Sequence, residues 1–374
     1  MPPVVLLIFL SILFLAYALL VVYYWYLWYR IPVFAPKQSV PSLTFSIIIP
    51  ARNEEGNIGI LLKALQQQTY PVHLCEVIVV DDHSDDDTAV VVQQFPGVRL
   101  IKADEGTSHA YKKKAIETGI AAATGEWIVT TDADCIPPAN WLQAMALFIQ
   151  ERNPVFVAAP VVMQGQTPVL ELFQVMDFMV LQAITGGVVN NGLLTMCNGA
   201  NIAYRRDAFY AVHGFEGIDA IASGDDMLLM YKIEKAFPGK TRYLKSKDAI
   251  VETAPQPSWR SFFNQRIRWA SKARKYDDKR FLPVLLLVYV MNLVFPVLLV
   301  AGIFHPRYWT MLAVLWLSKT LVELPLFRSA ALFFNRGWTL KWFFFFQPLH
   351  IIYTILSGFL GQIGSYEWKG RRVH

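Results

Sequence analysis

The sequence is poor in the residues that would make it a disulfide scaffold, a zinc protein or an ordinary soluble enzyme. Its three cysteines, Cys75, Cys135 and Cys197, are an odd and widely spaced set in 374 residues. They form no CxxC pair, and they suit reduced structural thiols better than disulfides or a zinc site. The seven histidines make neither HExxH nor HxH, so His83 and His213 read as structural. No GxGxxG occurs, which leaves a dinucleotide dehydrogenase without support. Charged residues are only 17% of the chain, and the net charge is +5. The basic residues crowd beside apolar runs instead of forming a stripe, so no nucleic-acid partner is implied.

What the chain has in excess is apolar sequence: 54% hydrophobic residues and a mean hydropathy of +0.34. Residues 4–29 carry no charge. As a helix rising roughly 1.5 Å per residue, that run is longer than a hydrocarbon core of about 30 Å. It ends in "YYWYLWYR", an interfacial aromatic belt closed by Arg30. The start "MPPVV" lacks the cation of a cleaved signal peptide, so residues 1–30 read as a transmembrane anchor. Residues 31–42, with three prolines, read as an extended linker.

Further apolar runs occupy 281–304, 308–327 and 342–364, within a C-terminal membrane region at 281–374. Just before them, within the segment 255–280, residues 259–280 hold eight Lys/Arg. The positive-inside tendency then puts the polar part of the chain in the cytoplasm, at the inner (plasma) membrane of a multi-pass protein. Three full crossings would carry the basic tail "YEWKGRRVH" outside, against the same rule. Gln347-Pro348 in the last run points to a segment lying partly in the interface. The number of crossings stays open.

Between these ends, residues 43–254 form a polar domain with one repeated grammar. "FSIIIPARNEEGNIGILLKAL" reads as a buried strand, a loop and a helix that Asn57 would cap. "EVIVVDDHSDDDT" repeats it with an acidic loop and a helix from about Asp86. "VRLIKA" and "EWIVTTDADC" add two strands, with "YKKKAIETGIAAA" a helix between them. Such alternation argues for an α/β fold, a Rossmann-like parallel sheet with helices on both faces. Ligands of such sheets bind beyond the carboxyl ends of the strands, where Asp81/Asp82 and Asp132/Asp134 both fall.

Asp132 and Asp134 flank one small residue at the mouth of a buried strand, and their repulsion is costly unless a cation stands between them. Oxygen ligands of this kind suit a hard divalent ion that keeps positions open for water and phosphate. Such an ion would neutralise a diphosphate both on binding and on leaving. An isolated DxD is more often a polar turn. Here it stands in a series: "IIIPARNEE", "VIVVDDHSDDDT", "DAD", then "SGDDMLL" and "QRIRW".

In that order the five stretches resemble family-2 glycosyltransferases of the GT-A fold. The likeness is greatest to membrane-anchored members related to cellulose synthase and ceramide glucosyltransferase, and it spans about residues 45–280. It implies a nucleotide-sugar pocket lined by Pro50, Ala51, Arg52, Asn53 and Glu54, with Glu54 or the backbone near Pro50 on uracil or ribose. Asp82 would take the ribose or base edge, while Asp85 to Asp87 read as helix-capping loop residues. Lys112, among Lys112 to Lys114, matches the family's lysine, although Tyr111 stands where a glycine is common. Asp132 and Asp134 would hold Mg²⁺ or Mn²⁺, Asp132 also facing the nucleotide sugar.

The same likeness implies a substrate-pocket turn at Asn198, Gly199, Ala200 and Asn201, with Asn198 on the acceptor side. Asp226 would be the general base on the acceptor hydroxyl. Asp225, which replaces the family's glutamate, is the other candidate. Gln265, Arg268 and Trp269 match QxxRW and share one helix face. Arg268 would hold diphosphate oxygens, and Trp269 would stack beneath the acceptor.

The reading is an inverting, hexosyltransferase-type enzyme. It would move sugar from a nucleotide-sugar, above all a UDP-sugar, to a lipid, lipid-linked or polysaccharide acceptor at the cytoplasmic membrane face. Two other classes compete. A nucleotidyltransferase would also pair aspartates around a metal, but it would release pyrophosphate and has no need of QxxRW beside a membrane. A catalytically inactive membrane scaffold on a transferase fold should have lost at least one of Asp82, Asp132, Asp134, Asp226 or Arg268, and all are present.

Overall fold

A computed structural model describes residues 3–35, 40–103, 111–193, 196–219, 224–271, 282–363, 366–368 and 371–373. Part of the linker (36–39), Ser223 and the second half of the basic segment (272–281) lie outside the described residues. The chain divides into two compact units: residues 31–164 with 185–254, and residues 1–30 with 165–184 and 255–374.

In chain order the described elements begin with helix α1 (Pro3–Arg30), β1 (Phe45–Ala51), α2 (Ile58–Gln66), β2 (Cys75–Asp81), α3 (Thr88–Gln93) and β3 (Val98–Lys102). Next come α4 (Tyr111–Ala122), β4 (Trp127–Thr130), β5 (Cys135–Ile136), α5 (Trp141–Arg152), β6 (Phe156–Ala158), β7 (Val161–Met163), α6 (Val169–Asn190) and β8 (Ile202–Arg205). Then follow α7 (Arg206–Ala211), α8 (Asp225–Ala236), β9 (Thr241–Tyr243), β10 (Val251–Thr253), α9 (Trp259–Ser271), α10 (Leu282–Phe304), α11 (Arg307–Phe333) and α12 (Phe343–Ile363).

The polar unit is built on a seven-stranded sheet of order β3-β2-β1-β4-β8-β6-β9. Strands β3, β2, β1 and β4 are mutually parallel, as the alternation predicts. The sheet then departs from that expectation: β8 runs antiparallel to both β4 and β6. The reason is topological. A strand reached through α6, rather than by a short right-handed crossover, is free to enter in the opposite sense. Ile47, Ile48, Ile49, Ile78, Val79, Val80, Ile128 and Val129 are almost wholly excluded from solvent. These β-branched runs are buried on both faces, the pattern of an internal parallel sheet. Gly119 on α4 lets the helix lie against β1, since a Cβ there would stand 2.5 Å from Ile48 Cγ2.

Asn57 does occupy the N-cap position of α2, but its side chain makes no capping bond. It donates to Glu54 Oε2 at 2.8 Å instead. The linker is also more than a spacer. Phe34 packs edge-on against Phe148 at 5.2 Å, and its N–H donates to Lys245 O at 2.7 Å.

The apolar unit is helical. Among the described residues, five helices are long and apolar enough to cross a membrane by length and composition: Val4–Arg30, Val169–Asn190, Leu282–Phe304, Arg307–Phe333 and Gly337–Gly361. Four coincide with the apolar runs of the sequence. The fifth, α6, lies inside the stretch assigned to the polar domain, and the structure places its residues up to Ile184 with the apolar helices. It is 83% buried within the protein, against 17–22% for the others, so protein rather than lipid surrounds it. Pro348 does not end α12, and Gln347 is buried within the protein.

In this unit an ion pair joins α9 to α6: Arg266 Nη2 lies 2.8 Å from Asp177 Oδ2. The guanidinium is enclosed by Trp269 (4.3 Å), Phe262 (5.0 Å) and Tyr353 (5.7 Å). A second polar knot ties α1, α11 and α12. Lys319 Nζ is 2.7 Å from Glu323 Oε1 and donates to Gln347 Oε1 at 2.9 Å. Gln347 Nε2 donates to Glu323 Oε2 at 2.7 Å, and Tyr17 donates its hydroxyl to Glu323.

Candidate functional site

The carboxyl ends of β1, β2 and β4 bring three loops together. The register sets Ala51 beside Asp81, and Asp82 N–H continues the ladder by donating to Ala51 O at 2.8 Å. Asp81 and Asp82 are both buried, at 4% and 5% exposure. A buried carboxylate needs donors, and Asp81 Oδ1 takes the Ser84 N–H at 3.1 Å.

The loops after β1 and β2 are laced to each other. Asn53 N–H donates to Ser84 Oγ and Asp85 N–H donates back to Asn53 Oδ1, at 3.0 and 2.9 Å. Glu54 N–H reaches Thr88 Oγ1 at 2.8 Å, Glu55 N–H reaches Asp86 Oδ2 at 3.1 Å, and Asp87 N–H reaches Glu55 Oε2 at 3.1 Å. Arg52 closes the seam by donating to the carbonyls of Asp82 (2.6 Å) and His83 (2.8 Å). Asn53 and His83 sit in the left-handed region, at φ 52° and 56°. That conformation is costly for a non-glycine residue and is held by the lacing around it. Asp85 to Asp87 are thus building parts of the loop, and Arg52 divides its described bonds between the carbonyls of Asp82 and His83 and the Asp85 carboxylate at 3.3 Å.

The DxD turn is held from both ends. It leaves β4 and enters β5, which pairs antiparallel with β10, and Cys135 N–H donates to Asp132 O at 3.1 Å. Burial pushes the Cys135 thiol well above its ordinary range, with the Asp132 and Asp134 charges adding to that, so the thiol stays neutral. All three cysteines are thiols outside any disulfide.

From the start of α4, Lys112 Nζ lies 2.6 Å from Asp132 Oδ1 and 3.5 Å from Asp225 Oδ2. Burial acts to lower its pKa. The charges of Asp132, Asp225 and Asp226, with the Asp132 hydrogen bond, outweigh that and hold the ammonium above the lysine range. Lys113, by contrast, is buried and donates to Ile218 O at 2.6 Å.

Asp225 and Asp226 open α8, where the helix dipole favours carboxylates. Asp226 Oδ2 accepts the Gly199 N–H at 2.9 Å and its Oδ1 accepts the Met227 N–H at 2.7 Å. A Cβ at Gly199 would stand at ordinary contact distance, 3.4–3.5 Å, from Asp225 Oδ2, Asp226 Cβ and Lys112 Nζ, which places the turn directly against the cluster. Asn198 Oδ1 caps the short turn by accepting from Ala200 N–H at 3.0 Å. Asn201, wholly buried, accepts from Trp141 Nε1 and donates to Pro160 O and Ala249 O. It fixes the turn from beneath, as does Thr130 Oγ1 through Gly199 O at 2.9 Å. The sequence resemblance includes Asn201 in the turn without showing that it supports it from beneath, and gives Thr130 no role.

The structure therefore brings Lys112, Asp132, Asp225, Asp226 and Gly199 into one cluster, while Arg52, Glu54 and Asp82 lie on the laced loops of the same unit. Gln265, Arg268 and Trp269 are on α9, in the apolar unit. One face of Trp269 lies against Arg266, a residue the motif leaves unspecified.

Among the described residues no group of three or more His, Cys, Asp or Glu converges as a metal cage. Two carboxylates on a clamped turn, with the Asp132 side chain 36% exposed, fit a hard divalent ion that draws its other ligands from phosphate and water.

Residues 46–212 match the family described as glycosyl transferase family 2. A probable glycosyltransferase of Bacillus subtilis, YdaM, is 26% identical over 245 residues, 63% of this chain and 56% of that protein. The beta-monoglucosyldiacylglycerol synthase of Synechocystis is 29% identical over 127 residues, 33% of this chain and 26% of that protein. The chain thus spans between a quarter and just over half the length of these relatives. Among solved structures, the mannosyltransferase PcManGT of Pyrobaculum calidifontis, in complex with GDP-Man and Mn²⁺, aligns over 95% of this chain and 97% of its own. Its TM-score is 0.56 at 20% identity, which shows a shared fold. Sheet and family match agree on one conclusion: residues 46–212 form a glycosyl transferase family 2 domain.

Proposed function

We propose that the chain transfers a sugar from a nucleotide-sugar, above all a UDP-sugar, to the hydroxyl of a lipid or lipid-linked acceptor, inverting the anomeric centre. The observation that carries this is the cluster in which one lysine meets several carboxylates at the mouth of the sheet. Asp82 and the loop from Pro50 to Glu54 would hold the nucleoside. Asp132 and Asp134 would hold Mg²⁺ or Mn²⁺, which supplies charge neutralisation to the diphosphate as it leaves.

Asp226 is oriented by two backbone N–H groups, and its remaining lone pairs would accept the acceptor proton. As the acceptor oxygen bonds to the anomeric carbon, the bond from that carbon to the diphosphate oxygen breaks. The hydroxyl proton passes to Asp226, and the nucleoside diphosphate departs with the electron pair. Lys112 offers the departing charge a partner. Asn198, Gln265, Arg268 and Trp269 would serve the acceptor and the diphosphate.

A lipid acceptor is favoured by the apolar helices and by the name of the Synechocystis relative. The basic residues before the apolar run from 281 support a cytoplasmic site. The nucleotide named for PcManGT makes GDP-sugars the second donor class.

The test uses the full chain in nanodiscs with UDP- and GDP-sugars and a lipid extract, following nucleoside diphosphate release with Mn²⁺ or EDTA. Release with one donor, lost in EDTA and in Asp134→Ala, is the expected result. Pyrophosphate as product, or release indifferent to Asp134, would overturn the reading.

A further inference from the structure

Lys112 is placed against its local preference. It stands in the first turn of α4, where the helix dipole disfavours a cation, and its neighbour Lys113 is already committed to Ile218 O. What holds its ammonium is carboxylate: Asp132 at 2.6 Å and Asp225 at 3.5 Å. Asp132 is also one half of the pair assigned above to a divalent ion.

We propose that Lys112 is a built-in counter-ion that keeps Asp132 and Asp134 from retaining a divalent cation by themselves, so that the cation is taken up together with the donor diphosphate. The inference rests on the donor and metal reading given above.

The argument is one of charge and reach. A dication ligated through Asp132 stands within a few ångströms of an ammonium already bonded to the same carboxylate. At that range the repulsion is comparable with the attraction of one carboxylate, so Lys112 cancels about one ligand's worth of binding. A diphosphate reverses the balance twice. It adds anionic oxygens for the dication, and it gives the ammonium another anion to pair with. A lysine suits this exchange better than an arginine, because it is a compact charge on a flexible stem rather than a fixed fork. The surroundings leave room: the Lys112 side chain is 24% exposed, and the flank toward Gly199 carries no side chain.

Full-length protein in nanodiscs would be titrated with Mn²⁺, reading free Mn²⁺ by its electron paramagnetic resonance signal, without nucleotide and with saturating UDP or GDP. Lys112→Gln and Lys112→Met are expected to bind Mn²⁺ without nucleotide about ten-fold tighter than wild type, for one unit charge removed at close range. The extra affinity for Mn²⁺ that nucleotide confers should shrink by a similar factor. Lys112→Arg keeps the charge and should stay near wild type, and Asp134→Asn should lose retention in every case. Should the Gln and Met variants bind Mn²⁺ alone no tighter than the Arg variant, Lys112 is no counter-ion to the metal and the proposal fails. Failure of wild type and all variants to retain Mn²⁺ even with nucleotide would instead remove the donor reading beneath it.

Discussion

The molecule holds two clusters built from the same chemistry, a lysine with carboxylates, and they are arranged to opposite ends. In the apolar unit Lys319 is matched by one carboxylate, Glu323, and the bonds of that pair are completed by Gln347 and Tyr17. Lys319 is wholly excluded from solvent. In the polar unit Lys112 answers to Asp132, Asp225 and Asp226 together, and the Asp132 side chain is one-third open. A balanced, saturated knot has nothing to offer a ligand and serves to set helix packing. An unbalanced, half-open one is incomplete until something charged arrives. Burial and pairing alone do not mark a functional site; the charge left over does.

The strongest way to break this comparison is at Asp226. Asp226→Asn keeps an oxygen for the Gly199 N–H and removes the base. The turnover rate should fall by on the order of 10²–10⁴ while the melting temperature holds or rises. Single-turnover assays beside thermal melts in detergent check both halves, and a loss of stability matching the loss of rate would count against the assignment.

Next is the sealed knot. Lys319→Met leaves the Glu323 charge buried without its cation and should cost about 3 kcal/mol of stability. The double change with Glu323→Met should recover most of that, and neither should alter turnover per folded molecule. A double-mutant cycle by denaturant unfolding in micelles reads the coupling.

The smallest effect sharpens the contrast at a carboxylate that is satisfied yet near the surface. Burial pushes Glu76 up. Hydrogen bonds from Ser46, from Thr124 through both backbone N–H and hydroxyl, and from Arg99 pull it further down, to about 2. A depressed carboxyl stabilises the fold above its unfolded pKa, and that contribution is lost as pH falls through the folded value. Glu76→Gln should therefore cost about 1 kcal/mol at neutral pH, discounted for partial exposure, and progressively less as pH falls below about 4 toward 2. Unfolding measured between pH 7 and 2.5 would show the two proteins converge.

The four parallel strands and the acidic loop ends were legible because each is a local pattern: a β-branched run, then Asp at its carboxyl end. What was not legible depends on partners far along the chain. The antiparallel entry of β8 follows from the path through α6, whose own apolar face reads the same whether protein or lipid covers it. Arg266 looks like one more juxtamembrane cation until Asp177, Phe262 and Tyr353 are seen around it. Nothing in "PARNEE" shows that Arg52 would also bond the carbonyls of Asp82 and His83 and the carboxylate of Asp85. Asn57 was placed rightly at a helix start, but its bond went to Glu54. Motif order picks out the candidate residues; how each is paired is decided by contacts far along the chain.

The stitched loops after β1 and β2 carry a consequence for anyone who would re-engineer donor choice. Residues 52–55 and 82–88 exchange bonds in both directions, side chain to backbone, so neither segment keeps its shape without the other's sequence. A chimaera that imports one segment from a homologue brings in donors and acceptors with no counterparts. If these loops hold the nucleoside as proposed above, the unit that carries nucleotide preference is the pair, and a graft succeeds or fails as a pair.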